Sequence, residues 1–249
     1  MSRLILKELT KTSLRELLRD PKNLFLILIF PLLFVIMFAV IEHLTPTQNE
    51  QLSLFEYMFP GILIFSLFSS GLIGTSTPLI EMRKTGTLKL LQVTPLTKSS
   101  FIISQIFVRF IIGSLQVLLF LIMGLFLNII KFSSIIPIFG ISLLGLLMIL
   151  TLGFIFGSLL NSPEVAGALL GGLSAPLLML SGVLMPLSIY DSNIIDSISM
   201  FIPFTYLGDL MRSTMFDIDP DVPIFLSIIA ISAFTIVFYI FAKKTFKWM

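Results

Sequence analysis

The sequence predicts an all-α membrane protein of six transmembrane helices with both termini on the cytoplasmic side, and three observations predict it. Of its 249 residues, 56% are apolar and only 12% charged, with a mean hydropathy of +1.06, which is far from an ordinary soluble domain. Uncharged stretches at 24–41, 57–80, 110–130, 132–163, 165–190 and 222–242 each reach, or nearly reach, the roughly 20 residues a spanning helix needs. With both termini inside, thirteen Lys/Arg lie on the cytoplasmic side against Lys131 and Arg212 on the other, the bias that the positive-inside rule demands.

Residues 1–23 form the first unit, an amphipathic connecting helix. Leu6, Leu9, Leu14, Leu17 and Leu18 group on one arc and Glu8, Lys11, Arg15 and Arg19 on the other, the pattern of a helix lying flat in the membrane interface. It serves as an anchor, or as an anchor whose polar face also meets a cytoplasmic partner. The opening is charged and the first apolar run is of full spanning length, so a signal-peptide pattern is absent.

Residues 24–249 form the second unit. Asp20 followed by Pro21 is a helix-start signal, and the first span, 24–44, carries Pro31 as a kink before Glu42 and His43 end it outside. Pro60 and Gly61 open the second span, 57–80, where Ser70 and Gly74 are a small-xxx-small pair suited to close helix approach.

A polar island, Glu81 to Lys98 (EMRKTGTLKLLQVTPLTK), then interrupts the apolar chain. Gly86 starts a new chain direction, Thr87 caps a helix, Leu88 and Leu91 fall on one face, and Thr94 before Pro95 ends the element after about two turns. A helix that short is marginal alone in water, so it must pack on a surface, read here as another protein.

The third span, 104–130, begins with Ser104, Gln105 and Arg109; the arginine lies within snorkelling reach of the inner interface. The fourth and fifth spans, 136–160 and 165–185, are joined by a tight inner turn, Asn161 to Glu164. Gly153 with Gly157, and Gly167 with Gly171, are GxxxG pairs for packing within or between subunits.

Residues 186–221 mix Asp191, Asp196, Asp209, Asp217, Asp219 and Asp221 with the apolar piece SISMFIPFTYL, which is too short to cross and forms short surface or re-entrant helices on the outer side. Asp209 and Arg212 are spaced to pair at i,i+3. The sixth span, 222–242, is followed by Lys243, Lys244 and Lys247, which hold the C-terminus inside, and by Trp248, suited to the interface.

The chain carries little catalytic chemistry. No cysteine means no disulfide framework and no thiolate metal site, and a single histidine excludes His-based metal motifs. There is no Walker A sequence and no GxGxxG, and no carboxylate falls well inside a span to relay protons.

The island pattern E-x-R-x-x-G-T-L-x-x-L-x-x-T-P-L, carried by Glu81, Arg83, Gly86, Thr87, Leu88, Leu91, Thr94, Pro95 and Leu96, resembles the cytoplasmic loop of ABC-2 type permeases, the membrane subunits of ATP-binding-cassette exporters. Further matches follow in order: Arg19-Asp20-Pro21, Asn161-Ser162-Pro163-Glu164, Leu180-Ser181-Gly182-Val183 through Pro186, and Pro203-Phe204 through Tyr206 with Arg212.

The resemblance implies a permease of the drug-resistance (daunorubicin-resistance-like) kind in a prokaryotic plasma membrane. It would dimerise with a second permease copy, identical or not, and each copy would dock on a separate ABC ATPase that holds the ATP and Mg; this chain itself would bind no cofactor, no metal and no nucleic acid. Leu88 and Leu91 would sit against the ATPase, braced by Glu81 and Arg83, with Asn161, Ser162, Pro163 and Glu164 as a smaller second contact. The second and fifth spans would face the translocation path among membrane lipids, with Phe65, Phe68, Leu180 and Leu184 as path candidates placed by span and depth. A path without buried charge suits an amphiphilic or apolar cargo such as a drug, a lipid or a lipidic peptide. Alternatives are a polysaccharide or teichoic-type exporter, a sensor or immunity protein that does not transport, and an intramembrane enzyme, for which the clustered polar groups are missing.

Overall fold

The computed structural model describes residues 8, 10–15, 18–44, 53–187 and 192–248. Among them every regular element is helical: α1 (Pro21–Leu28), α2 (Phe30–Leu44), α3 (Leu54–Lys84), α4 (Thr87–Gln92), α5 (Lys98–Phe126), α6 (Ile135–Leu159, entered through a 3-10 turn Phe132–Ser134), α7 (Pro163–Leu180), α8 (Asn193–Ser199), α9 (Pro203–Phe216) and α10 (Ile224–Thr245). Among the described residues, six helices are long and apolar enough to span a bilayer, the first being α1 and α2 taken together from Leu24. Helical residues at Glu8 and 10–15 precede them, with Thr10, Ser13 and Leu14 turned partly inward and Lys11 and Arg15 outward. Leu18 is exposed; Leu6, Leu9 and Leu17, and Asp191 further on, lie outside the described residues.

The second span, α3, is the central post. Its apolar window is 67% buried, against 6% for the first span and 11% for the last. It starts earlier than Pro60: Ser53 and Glu56 form a reciprocal capping box, so Pro60 and Gly61 lie inside the helix. It also runs on to Lys84, taking Glu81 and Arg83 of the island into its last turn. Against α3 lies α6, and Gly153 and Gly157 let the two backbones meet. A Cβ on Gly153 would stand 2.9 Å from the Gly71 carbonyl oxygen, and one on Gly157 2.9 Å from the Ser76 Cα. This GxxxG pair therefore packs within the chain, whereas Gly167 and Gly171 of α7 face nothing within 4 Å.

Pro31 disrupts the first span as its missing N–H requires, and the break falls two residues earlier, at Ile29 between α1 and α2. The third span begins at Lys98, where the Thr97 hydroxyl accepts from Ser100 N–H, and ends at Phe126, several residues before the predicted limits on both sides. Ser162 caps α7 with Pro163 in its first turn.

The helices α8 and α9 meet at 92°. Four segments converge at the far end of the bundle from the island. Tyr57 donates its hydroxyl to the Gly182 carbonyl (2.7 Å), Arg212 donates to the Val183 carbonyl (3.4 Å), and Asp209 accepts from Asp221 and Val222 N–H (3.1 and 3.0 Å). The end of α7, the start of α3 and the start of α10 thus share one face, which the bent pair α8–α9 joins through Asp209 and Arg212. Asp209 and Arg212 do not pair with each other as their spacing predicts. Asp209 is taken up by backbone N–H groups, and Arg212 lies over the Tyr57 ring, 4.4 Å from its centroid.

On the island face the chain after α10 folds back. Phe246 is fully buried and stacks on Phe101 with centroids 5.3 Å apart, Trp248 packs on both, and Lys98 donates to the Phe246 carbonyl at 3.0 Å. Gln105 donates to Ser13 at 3.3 Å, so the N-terminal segment reaches the island half of α5 as well.

Candidate functional site

The island is two helix ends and a hinge. The chain leaves α3 through Thr85, whose hydroxyl donates to the Glu81 carbonyl (3.0 Å), and turns at Gly86 with φ +77°. A Cβ at Gly86 would meet nothing within 4 Å, so the left-handed backbone, and not crowding, is what calls for glycine. Gly86, without a side chain to cap, is the N-cap of α4, and Thr87 is the first helical residue instead of the cap the sequence predicts; its hydroxyl lies 2.9 Å from that of Thr85. Thr94 closes the helix by donating to the Leu91 carbonyl (2.6 Å), and Pro95 is exposed beyond it.

The α4 side chains fall on two faces. Leu88 is fully buried in this chain and Leu91 packs half-buried on the same core, so that face belongs to the bundle itself. On the other face Leu90 is 71% and Val93 86% exposed beside the exposed Lys89. Leu90 and Val93 are spaced i,i+3 just as Leu88 and Leu91 are, and only packing tells the two apolar pairs apart.

The structure brings the island and the Asn161–Glu164 turn together. Arg83 donates from Nη1 to the Leu160 carbonyl at 3.2 Å, satisfying a backbone oxygen at the C-terminal end of α6 where the helix dipole favours a cation. Lys84 lies 3.6 Å from Glu164 in an exposed ion pair, and Ser162 both caps α7 and bonds the Glu164 carboxylate. The joint thus ties α3, α4, α6 and α7 on one face. Among the described residues, no cluster of His, Cys, Asp or Glu is disposed to hold a metal ion.

A family model described as ABC-2 family transporter protein matches residues 40–243 of the chain, from the end of α2 to the end of α10. The chain belongs to the ABC-2 transporter family. No curated relative matches the sequence. As an ABC-2 permease, it is a membrane subunit of an ABC transporter, a role that in general implies an ABC ATPase partner.

The path candidates of this permease are dispersed. Phe68 is buried edge-to-face against Phe204 of α9 (5.0 Å), while Phe65 lines a groove shared with Phe30, Pro31 and Phe34 of the first span. Leu180 is exposed at the end of α7, and Leu184 lies beside Gly61.

The ABC-2 permease has a cleft that sequence reading passed over, about 380 Å³ between α3, α5 and α6. Arg109 lies in it, donating from Nε to the Gly74 carbonyl (2.6 Å) and from Nη1 to the Gln105 carbonyl and side-chain oxygen (3.0 and 2.9 Å). Its guanidinium thereby bridges α5 to the α3 backbone at Gly74. Deeper in the cleft, Gln116 is fully buried; it donates to Ser66 and accepts from Ser70 (3.0 Å). The signal was present, since Ser66, Ser70 and Gly74 recur every fourth residue on α3 opposite Gln105 and Arg109 on α5.

Proposed function

We propose that this permease exports an amphiphilic or apolar cargo, driven by ATP hydrolysed on a separate ATPase that docks on the outward face of α4, with the island face cytoplasmic. The observation that carries the reading is the two-sided character of α4: Leu88 holds it in the bundle while Leu90 and Val93 stand exposed on a face bearing Lys89. An apolar pair so exposed on a polar, water-facing segment suits a partner surface.

The joint beneath α4 supplies the lever. A push on α4 reaches α3 directly through Gly86 and reaches the α6–α7 turn through Arg83–Leu160 and Lys84–Glu164. The cleft supports an amphiphilic cargo, because Arg109 and the hydroxyls of Ser69, Ser70 and Thr77 share its lining with Ile112, Leu146 and Leu150. The open face of α7, with Gly167 and Gly171 uncrowded, is where a second permease copy would pack.

The experiment is co-purification of the chain with its ATPase, followed by ATP-dependent efflux of a fluorescent amphiphile from vesicles. Leu90→Asp with Val93→Asp is expected to lose both the retained ATPase and the efflux, while Gln92→Asp keeps both. Retention of the ATPase by the double variant at the wild-type level would overturn the docking assignment.

A further inference from the structure

On the face opposite the island, a groove of about 780 Å³ opens between α6, α9 and α10. Its α6 wall is the stripe Pro137, Gly140, Ile141 and Leu144, one face of the helix by its i, i+3, i+4, i+7 spacing. Gly140 leaves this wall hollow, since a Cβ built there would meet nothing within 4 Å. Ile224 and Ile228, one turn apart on α10, form the wall across from it.

The walls are apolar and the mouth is polar. Ser133, Thr214 and Asp217 line the surface end, and Asp217 is ion-paired with Lys131 across the 3-10 turn. From Ser133 to Leu144 the groove runs about 16 Å at the helical rise per residue. That is half of a hydrocarbon core of roughly 30 Å, the depth of one leaflet. The two charges at the mouth have side chains 66% and 64% exposed, so their mutual attraction is largely screened and exchanging partners costs little.

We propose that this groove binds one zwitterionic glycerophospholipid of that leaflet, with an acyl chain lying along Gly140 and the headgroup shared between Lys131 and Asp217. The lipid phosphate takes the Lys131 ammonium, and the headgroup amine takes the Asp217 carboxylate. An anionic lipid without the amine leaves Asp217 facing negative charge, so the same pair discriminates between headgroups. The site shares no residue with α4 and stands whether or not the docking assignment does.

The test is native mass spectrometry of the full chain, purified in mild detergent with its partner subunits and titrated with phosphatidylethanolamine or phosphatidylglycerol. The wild type is expected to hold one phosphatidylethanolamine per chain with a preference of about five-fold or more over phosphatidylglycerol. Gly140→Leu fills the hollow and should remove that adduct, whereas Leu118→Phe, which adds bulk at an exposed α5 position outside the groove, should keep it. Lys131→Gln with Asp217→Asn should keep a lipid but lose the preference; asparagine tolerates the left-handed backbone at 217, where φ is +55°. If Gly140→Leu impairs folding, the charge variants decide alone. An adduct that survives Gly140→Leu, equal affinity for both lipids, or no retained lipid in the wild type would each overturn the proposal.

Discussion

Arg83 in the last turn of α3 bonds the Leu160 carbonyl at the C-terminal end of α6, 3.2 Å away, and so joins the second span to the fourth at the face where the short helix sits. The bond places a charged donor on a backbone oxygen that α6 itself leaves unsatisfied, with Lys84 and Glu164 alongside. Two contacts therefore connect the end of α3 to the α6–α7 turn at this point.

Arg83→Ala should uncouple the joint without unfolding the chain. A charge-assisted bond of this kind contributes about 1.5–3 kcal/mol. The expected outcome is an ATPase that remains bound and hydrolyses ATP while efflux falls, measured as the ratio of transport to hydrolysis in vesicles. Arg83→Lys should restore part of the coupling, because one donor still reaches the carbonyl.

Leu88 and Leu90 are two residues apart and should fail in different assays. Leu88→Ala empties a fully buried site and is expected to cost about 2–5 kcal/mol, read as a lowered thermal transition in detergent. Leu90→Ala alters an exposed side chain, should change stability by no more than about 0.5 kcal/mol, and should weaken ATPase retention instead.

The two GxxxG pairs should also separate. Gly157→Leu forces a side chain into the α3 backbone, so it should abolish a folded chain in detergent by fluorescence-detected chromatography. Gly171→Ala meets no neighbour and should raise the stability of a single chain by up to about 1 kcal/mol through helix propensity. Under the proposed arrangement, Gly171→Leu should weaken the pairing of two permease copies, measured by crosslinking across α7.

Asp209→Asn should loosen the far end of the bundle. The carboxylate accepts from two backbone N–H groups, and an asparagine offers one oxygen and turns an N–H toward the other donor. A loss of about 1–3 kcal/mol is expected, with faster hydrogen exchange at Asp221 and Val222 as the local measurement.

Much of this was legible beforehand because burial in a bilayer leaves a plain mark. Every backbone group must be bonded within its own segment, so long uncharged runs become helices, and their number and order follow from where those runs lie in the sequence. Helix ends fall where a side chain supplies the cap: Ser162 starts α7 at Pro163, inside the turn predicted over Asn161 to Glu164, and the Ser53–Glu56 capping box starts α3 ahead of Pro60.

The sequence by itself determined the helical class, the six spans, the chain reversal at Gly86 and the family pattern around it, because each depends on local spacing and on which residues water or lipid will accept. Tertiary structure alone decided which face of each helix is inside. Leu88 and Leu90, Gly157 and Gly171, and Arg109 and Arg83 have similar local signatures, and their roles differ only through what other helices bring against them. Periodicity assigns residues to faces, but the neighbour that covers a face comes from elsewhere in the chain.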